Sequence, residues 1–155
     1  SQTEKLEGHP NLAIERPGKH FGDLKWYEFE EDDVKHLASS LKYADVVINT
    51  GSTLMVEAAI FDTPVIALGF DGKSTRDYWH SIIRYYDREH LVPVMRTGGV
   101  ALATNFESLK NSILEYIANR ETDALGRTEV VKMVCYKMDG QSCSRTAHAI
   151  LDALT

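Results

Sequence analysis

The apolar and polar positions of this chain fall into blocks whose period switches between that of a strand and that of a helix. Val46-Val47-Ile48 and Pro64-Val65-Ile66-Ala67-Leu68 are short unbroken apolar runs, rich in β-branched residues and bounded by Asp, Gly or Pro. Such runs predict strands buried on both faces of a parallel sheet. Between them, Ser52 to Phe61 has helix-forming composition, with Leu54, Met55, Ala58 and Ala59 available for a packed face. Strand, tight turn, helix and strand in that order predict a right-handed crossover unit.

Upstream, Asn11 to Glu15 is expected to form another strand. Glu31 to Tyr43 predicts a helix whose first-turn acids suit the positive end of its dipole, with Leu37, Leu41 and Ala44 as its inward stripe. Downstream, Leu91 to Met95 suits a short strand. Asn105 is placed to cap a helix from Phe106 to about Asn119, with Leu109, Ile113, Leu114 and Ile117 at helical spacing. Two more helices are expected, Ala124 to Lys137 and Ser142 to Leu154, separated by the Asp139-Gly140 break. The sum is a single α/β domain over residues 1–155, a Rossmann-like three-layer arrangement with a mostly parallel sheet. No strand–helix pair precedes the first convincing strand, which leads us to expect a fragment of a two-domain protein.

Composition narrows the function. With 43% hydrophobic and 26% charged residues, the 155-residue chain can bury a core without disulfide or metal support. Its net charge of −6 argues against broad nucleic-acid binding, which needs clustered Lys and Arg, but leaves room for a local basic pocket. Cys135 and Cys143 are too few for a disulfide scaffold and fit no zinc spacing, so both are expected as reduced, core-facing thiols of a cytoplasmic protein. No apolar run reaches the roughly 18 residues that a membrane span needs, though peripheral membrane contact stays open. The acidic run Glu28, Glu30, Glu31, Asp32 and Asp33 reads as a solvated turn and helix start. No metal site is expected.

The segment Asn49-Thr50-Gly51-Ser52-Thr53 is the most informative. It joins the carboxyl end of a buried strand to a helix, which is where open parallel sheets hold ligands. First-turn amides suit a phosphate, Gly51 lets the backbone approach closely, and Ser52 and Thr53 add hydroxyl donors. The plainer reading makes Ser52 a helix cap and Gly51 a turn residue. Glu57 follows within an otherwise apolar helix, where a carboxylate needs a partner; a ribose diol would supply one.

These residues, with Glu57-Ala58-Ala59 and Asp62-Thr63-Pro64-Val65-Ile66-Ala67, resemble the C-terminal, donor-nucleotide-binding domain of GT-B-fold glycosyltransferases. In that family a Glu precedes a Gly-x-Pro that leads into a buried strand. Here Asp62 replaces the Gly, a mild departure because Asp tolerates the left-handed conformation. Asp139-Gly140-Gln141-Ser142-x-x-Arg145 is similar to the closing helix motif of CDP-glycerol transferases and related surface-polymer enzymes. The resemblance implies that Glu57 holds the donor ribose and that Gly51, Ser52 and Thr53 face its diphosphate. It also implies an acceptor-binding domain outside this chain, an enzyme whose isolated half is inactive, and a nucleotide-sugar or CDP-polyol donor rather than a resident cofactor.

Further candidates lie at other predicted strand ends. Lys73 and Arg76, in the loop Gly69 to Arg76, could neutralise a departing diphosphate, or could be solvated cations paired with Asp71 and Asp77. Arg16 is a candidate phosphate contact and His20 a candidate donor-side hydrogen bond. Tyr78, Trp79, Tyr85 and Tyr86 suit a core or an interface, and Trp26, Tyr27 and Phe29 could stack on a base. Two alternatives to transfer of a sugar or polyol phosphate remain. One is a nucleotide-sugar 2-epimerase, whose Ser-Gly-Gly turn and Thr-Glu-Arg-Pro loop this chain lacks. The other is a non-catalytic nucleotide-binding subunit that needs a partner chain.

Overall fold

In the computed structural model, which describes residues 5–15, 17–20 and 27–154, the chain divides into two units, Ser1–Ser40 and Leu41–Thr155. The first holds a two-residue antiparallel ladder, β1 (Lys19–His20) with β2 (Tyr27–Glu28), and most of helix α1 (Glu31–Tyr43). The strand expected at Asn11–Glu15 does not form. An extended segment becomes a strand only when a neighbour pairs its N–H and C=O groups, and among the described residues none runs beside it. The α1 start matches expectation: the Asp33 carboxylate accepts the Glu30 N–H at 2.9 Å. Its pKa falls chiefly through that bond.

Within the same unit His36 Nε2 lies 2.8 Å from Glu15 Oε1, and this hydrogen-bonded carboxylate raises the imidazole above its ordinary value of 6.5. A raised folded-state pKa gives stability that is fully present below the unfolded value and lost as pH rises through the folded one. An NMR titration of the His36 ring is therefore expected to give an apparent pKa above 6.5. Glu15→Gln should lower it, because the largest cause of the rise is removed; an unchanged midpoint would contradict the pairing.

The second unit is built on a parallel sheet of three strands, β3 (Val47–Asn49), β4 (Val65–Leu68) and β5 (Ala101–Ala103), in the order β3-β4-β5. Val47 pairs with Val65 and Ile66 with Ala101. Helix α2 (Leu54–Ile60) makes the crossover between β3 and β4. The central strand β4 is covered on both faces, as its unbroken apolar run predicts, whereas β3 falls short of that expectation because Ile48 is exposed, as is Leu102 of β5. On one face Val47, Val65 and Ala67 join Met55, Ala58, Leu91, Val94 and Val130 in the larger core. On the other, Ile66 and Ala103 pack with Tyr116.

The strand expected at Leu91–Met95 is instead the short helix α3 (Val92–Arg96). Pro93 explains the difference: it fits the first helical turn, where its missing N–H is not needed, but would remove a ladder bond from a central strand. The third strand lies at Ala101–Ala103, whose Ala-Leu-Ala carries helix-forming rather than strand-forming residues. Helix α4 (Phe106–Ala118) starts as expected, with Asn105 Oδ1 accepting the Ser108 N–H at 2.8 Å and Ser108 Oγ accepting the Asn105 N–H at 3.1 Å. Its inward stripe is Leu109, Ile113 and Tyr116; Leu114 and Ile117 are exposed. In α1, likewise, Leu41 and Ala44 join the core while Leu37 stays exposed.

Helix α5 (Ala124–Cys135) ends two residues early, where Tyr136 takes a positive φ of 52°, and α6 (Ser142–Asp152) follows. Asp139 and Arg145 of the closing motif bind each other, with both carboxylate oxygens at 2.8 and 2.9 Å from the guanidinium. Asp139 also accepts the Gln141 N–H at 3.0 Å, so the motif ties the turn before α6 to its first turns. Cys135 is half-buried and Cys143 exposed; both are free thiols, and the core-facing expectation fails for Cys143. No helix among the described residues is long and apolar enough to cross a membrane.

At the amino end of the sheet a buried arginine knits the elements together. Arg127 of α5 has 0% exposure. It donates from Nε to Asp62 Oδ1 at 2.7 Å and to the carbonyls of Thr122 and Arg120 at 2.6 and 2.8 Å. Arg120 in turn donates to the Ala44 carbonyl and to Thr63 Oγ1, both at 3.0 Å. Asp62 adopts φ of 51°, the left-handed conformation expected of it, and its carboxylate explains why glycine is not used there.

Candidate functional site

The carboxyl ends of β3 and β4 bring together Asn49, the turn Thr50–Thr53, Gly69 and the 3₁₀ helix Ile82–Asp87. Gly51 sits at φ of +62°, which favours glycine on its own. A side chain there would also start 2.8 Å from Tyr85 Cβ, so the turn and the 3₁₀ helix are in direct contact. Ser52 Oγ accepts the Leu54 N–H at 3.3 Å, a capping role; the Thr53 hydroxyl makes no cap bond.

Tyr86 joins the two strand ends. Its hydroxyl donates to the Leu68 carbonyl at 2.7 Å. Burial pushes its pKa up to about 12, opposed by the neighbouring Gly51 amide. Beside it, Ile83, Tyr86, Met95, Arg96 and Leu102 line an open groove of about 290 Å³.

Helix α2 buries Met55, Ala58 and Ala59. Glu57 lies off that stripe, half-buried, and makes no side-chain hydrogen bond or ion pair among the described residues. It is one turn from the Gly51 turn and available to an outside donor.

The loop after β4 is pinned rather than free. Gly69 donates its N–H to the Ala103 carbonyl at 2.8 Å, and Asp71 Oδ1 accepts the Ile82 N–H at 2.9 Å. Ser81 also bonds the Asp71 carboxylate and is the main cause of its lowered pKa. Asp71 is thus a cap for the 3₁₀ helix, and Asp77 holds the His80 ring at 2.8 Å. Neither forms the salt bridge with Lys73 or Arg76 that the sequence suggested. Lys73 and Arg76 are exposed and without ion pairs among the described residues.

Arg16 and Trp26 lie outside the described residues, and His20 belongs to β1 of the first unit, as Tyr27 belongs to β2. Phe29 is exposed in that unit. The aromatic group separates: Tyr86 is buried and Tyr85 half-buried, while Trp79 and Tyr78 are exposed and meet edge to face at 5.3 Å. Three polar residues were given no role of their own in the sequence reading: Asn49 at the end of β3, and Arg84 and Arg88 in and just after the 3₁₀ helix. The signal for Asn49 was an amide closing the apolar run Val46-Val47-Ile48; the two arginines were masked by the aromatics around them.

Comparison with protein-family models, curated proteins and solved structures finds no match to this chain.

Proposed function

We propose that this chain is the donor-binding half of a GT-B-fold glycosyltransferase or polyol-phosphate transferase of surface-polymer synthesis, and that it holds the nucleotide of the donor at the carboxyl ends of β3 and β4. The observation that carries this reading is Glu57. Its carboxylate stands half-buried in a packed helix, without a partner among the described residues, one turn beyond a glycine turn that closes a parallel strand. A carboxylate in that position is suited to accept both hydroxyls of a ribose. The groove beside Tyr86, lined mainly by apolar side chains together with Asp87 and Arg96, approaches the lower end of the size range for small-molecule sites.

In this reading the protein binds and orients the donor. Lys73 and Arg76 extend from the loop after β4 to meet charge as the nucleoside diphosphate departs. The acceptor and the base that activates it belong to the other domain of such an enzyme.

Calorimetric titration with UDP, CDP, GDP and ADP tests the reading. One diphosphate is expected to bind in the micromolar-to-millimolar range. Glu57→Ala should weaken it roughly tenfold or more, because a hydrogen bond to a charged group contributes about 1.5–3 kcal/mol. Equal binding by the variant would remove the ribose role, and no binding by a folded protein would remove the donor site.

A further inference from the structure

The end of β3 carries a polar group that the fold leaves unused. Asn49 lies two residues beyond Val47 and pairs across the ladder with Ala67, so it shares the sheet face on which those residues, Met55 and Tyr86 form the core. It is 7% exposed, and its Nδ2 and Oδ1 are both buried without a hydrogen-bond partner. A carboxamide in this state has given up water and gained nothing, a cost that an aliphatic side chain would avoid. The preceding Val46-Val47-Ile48 shows what the strand otherwise selects.

A second observation lies against the same turn. Tyr85, packed against Gly51, carries two guanidinium groups: Arg88 at 4.3 Å and Arg84 at 5.4 Å from the ring centre. Arg84 donates once, to the Trp79 carbonyl at 2.8 Å. Neither makes an ion pair among the described residues. Two cations held close to one ring favour an anion beside them, and guanidinium forks match phosphoryl oxygens.

We propose that Asn49, Arg84 and Arg88 form a single diphosphate-binding site around the Gly51 turn. The arginines clasp the phosphoryl oxygens. The Asn49 amide, at the end of β3 just before that turn, supplies its Nδ2 as a further donor to the same anion. The assignment of the anion to a nucleotide rests on the donor-binding reading above; the anion site itself does not. It also moves the principal cations from Lys73 and Arg76 to Arg84 and Arg88.

The test compares wild type with Asn49→Leu, the pair Arg84→Gln/Arg88→Gln and the pair Lys73→Gln/Arg76→Gln. Each is titrated with inorganic pyrophosphate and with the four nucleoside diphosphates, and its melting temperature is recorded. Asn49→Leu should melt higher than wild type and bind about tenfold more weakly, a loss in keeping with one charge-assisted hydrogen bond. The Arg84/Arg88 pair should lose pyrophosphate and nucleotide together, and more of each than the Lys73/Arg76 pair. A lower melting temperature in Asn49→Leu would mean that an interior water already satisfies the amide, and would overturn its role. Unchanged binding in the Arg84/Arg88 pair overturns the site even where nucleotide binds. Arginine-dependent pyrophosphate binding with no gain from any nucleoside upholds the site and removes the donor reading. A wild-type protein that takes neither ligand at millimolar concentration overturns both.

Discussion

Arg127→Ala is expected to destabilise the protein by about 2–5 kcal/mol, from two carbonyls left without a donor and from the cavity that the side chain vacates. The guanidinium is wholly buried, and its three bonds tie α5 to Asp62 at the end of the α2 crossover and to the Arg120 and Thr122 carbonyls before α5. Alanine leaves those two carbonyls without their donor and a cavity under the helix, while Asp62, 58% exposed, simply turns to water. Lysine cannot repair the site, because one ammonium cannot reproduce the fork that reaches three acceptors in fixed directions. Asp62→Asn keeps an oxygen for Nε and should cost much less. Chemical denaturation of the three variants checks the order; an Arg127→Ala protein as stable as Asp62→Asn would contradict it.

Gly126→Ala is expected to destabilise although it lies inside a helix, where alanine is normally favoured by about 1 kcal/mol. A Cβ on Gly126 would overlap the Gly99 nitrogen and fall 2.5 Å from the Gly98 carbonyl carbon. A Cβ on Gly99 would overlap the Gly126 carbonyl carbon. The obstacles are backbone atoms, so α5 and the segment leading into β5 must move apart. Overpacking costs typically 1–3 kcal/mol, and with no soft side chain to yield the upper end applies. The net loss is roughly 2 kcal/mol, or about 4–8 °C in melting temperature for a chain of this length. Gly99→Ala should lose more, having no helix propensity to offset the clash. A Gly126→Ala protein that melts higher than wild type would show that the two backbones are not in contact.

How much of this was legible in the sequence follows from which forces act locally. The β3–α2–β4 unit was legible because β-branched runs bounded by breakers admit few alternatives, and the α4 cap because Asn105 and Ser108 sit at the spacing of a reciprocal cap. The strand at Ala101–Ala103 was not, because its residues have no strand preference and its place is fixed by pairing with Ile66 and Leu68. Pro93 gave a local warning against a strand at Leu91–Met95 that hydrophobicity outweighed. The glycine turn and Glu57 stood out from neighbouring residues alone. The state of Asn49 and the Arg127 network depend on residues distant in the chain, so no window of sequence contains them. Arg84, Tyr85 and Arg88 are close in sequence, but their stacking follows from the 3₁₀ helix that carries them, which the pattern of apolar residues did not signal.

Asn49 and Arg127 are opposite uses of buried polarity. Arg127 is deep at the amino end of the sheet and bonded along its whole fork, which suits a structural tie. Asn49 is buried at the carboxyl end, and its side chain has no hydrogen-bond partner among the described residues. Stability alone favours the first and disfavours the second, which is why the functional reading is placed at the carboxyl end.

The most direct measurement is amide NMR of the isotopically labelled chain as a nucleoside diphosphate is added. Shifts concentrated at Asn49 to Thr53, Glu57 and Arg84 to Arg88 are the result expected of a donor site at the strand ends. An unmoved spectrum at saturating nucleotide, or shifts gathered instead at Thr63 and Arg120 to Arg127, would contradict it.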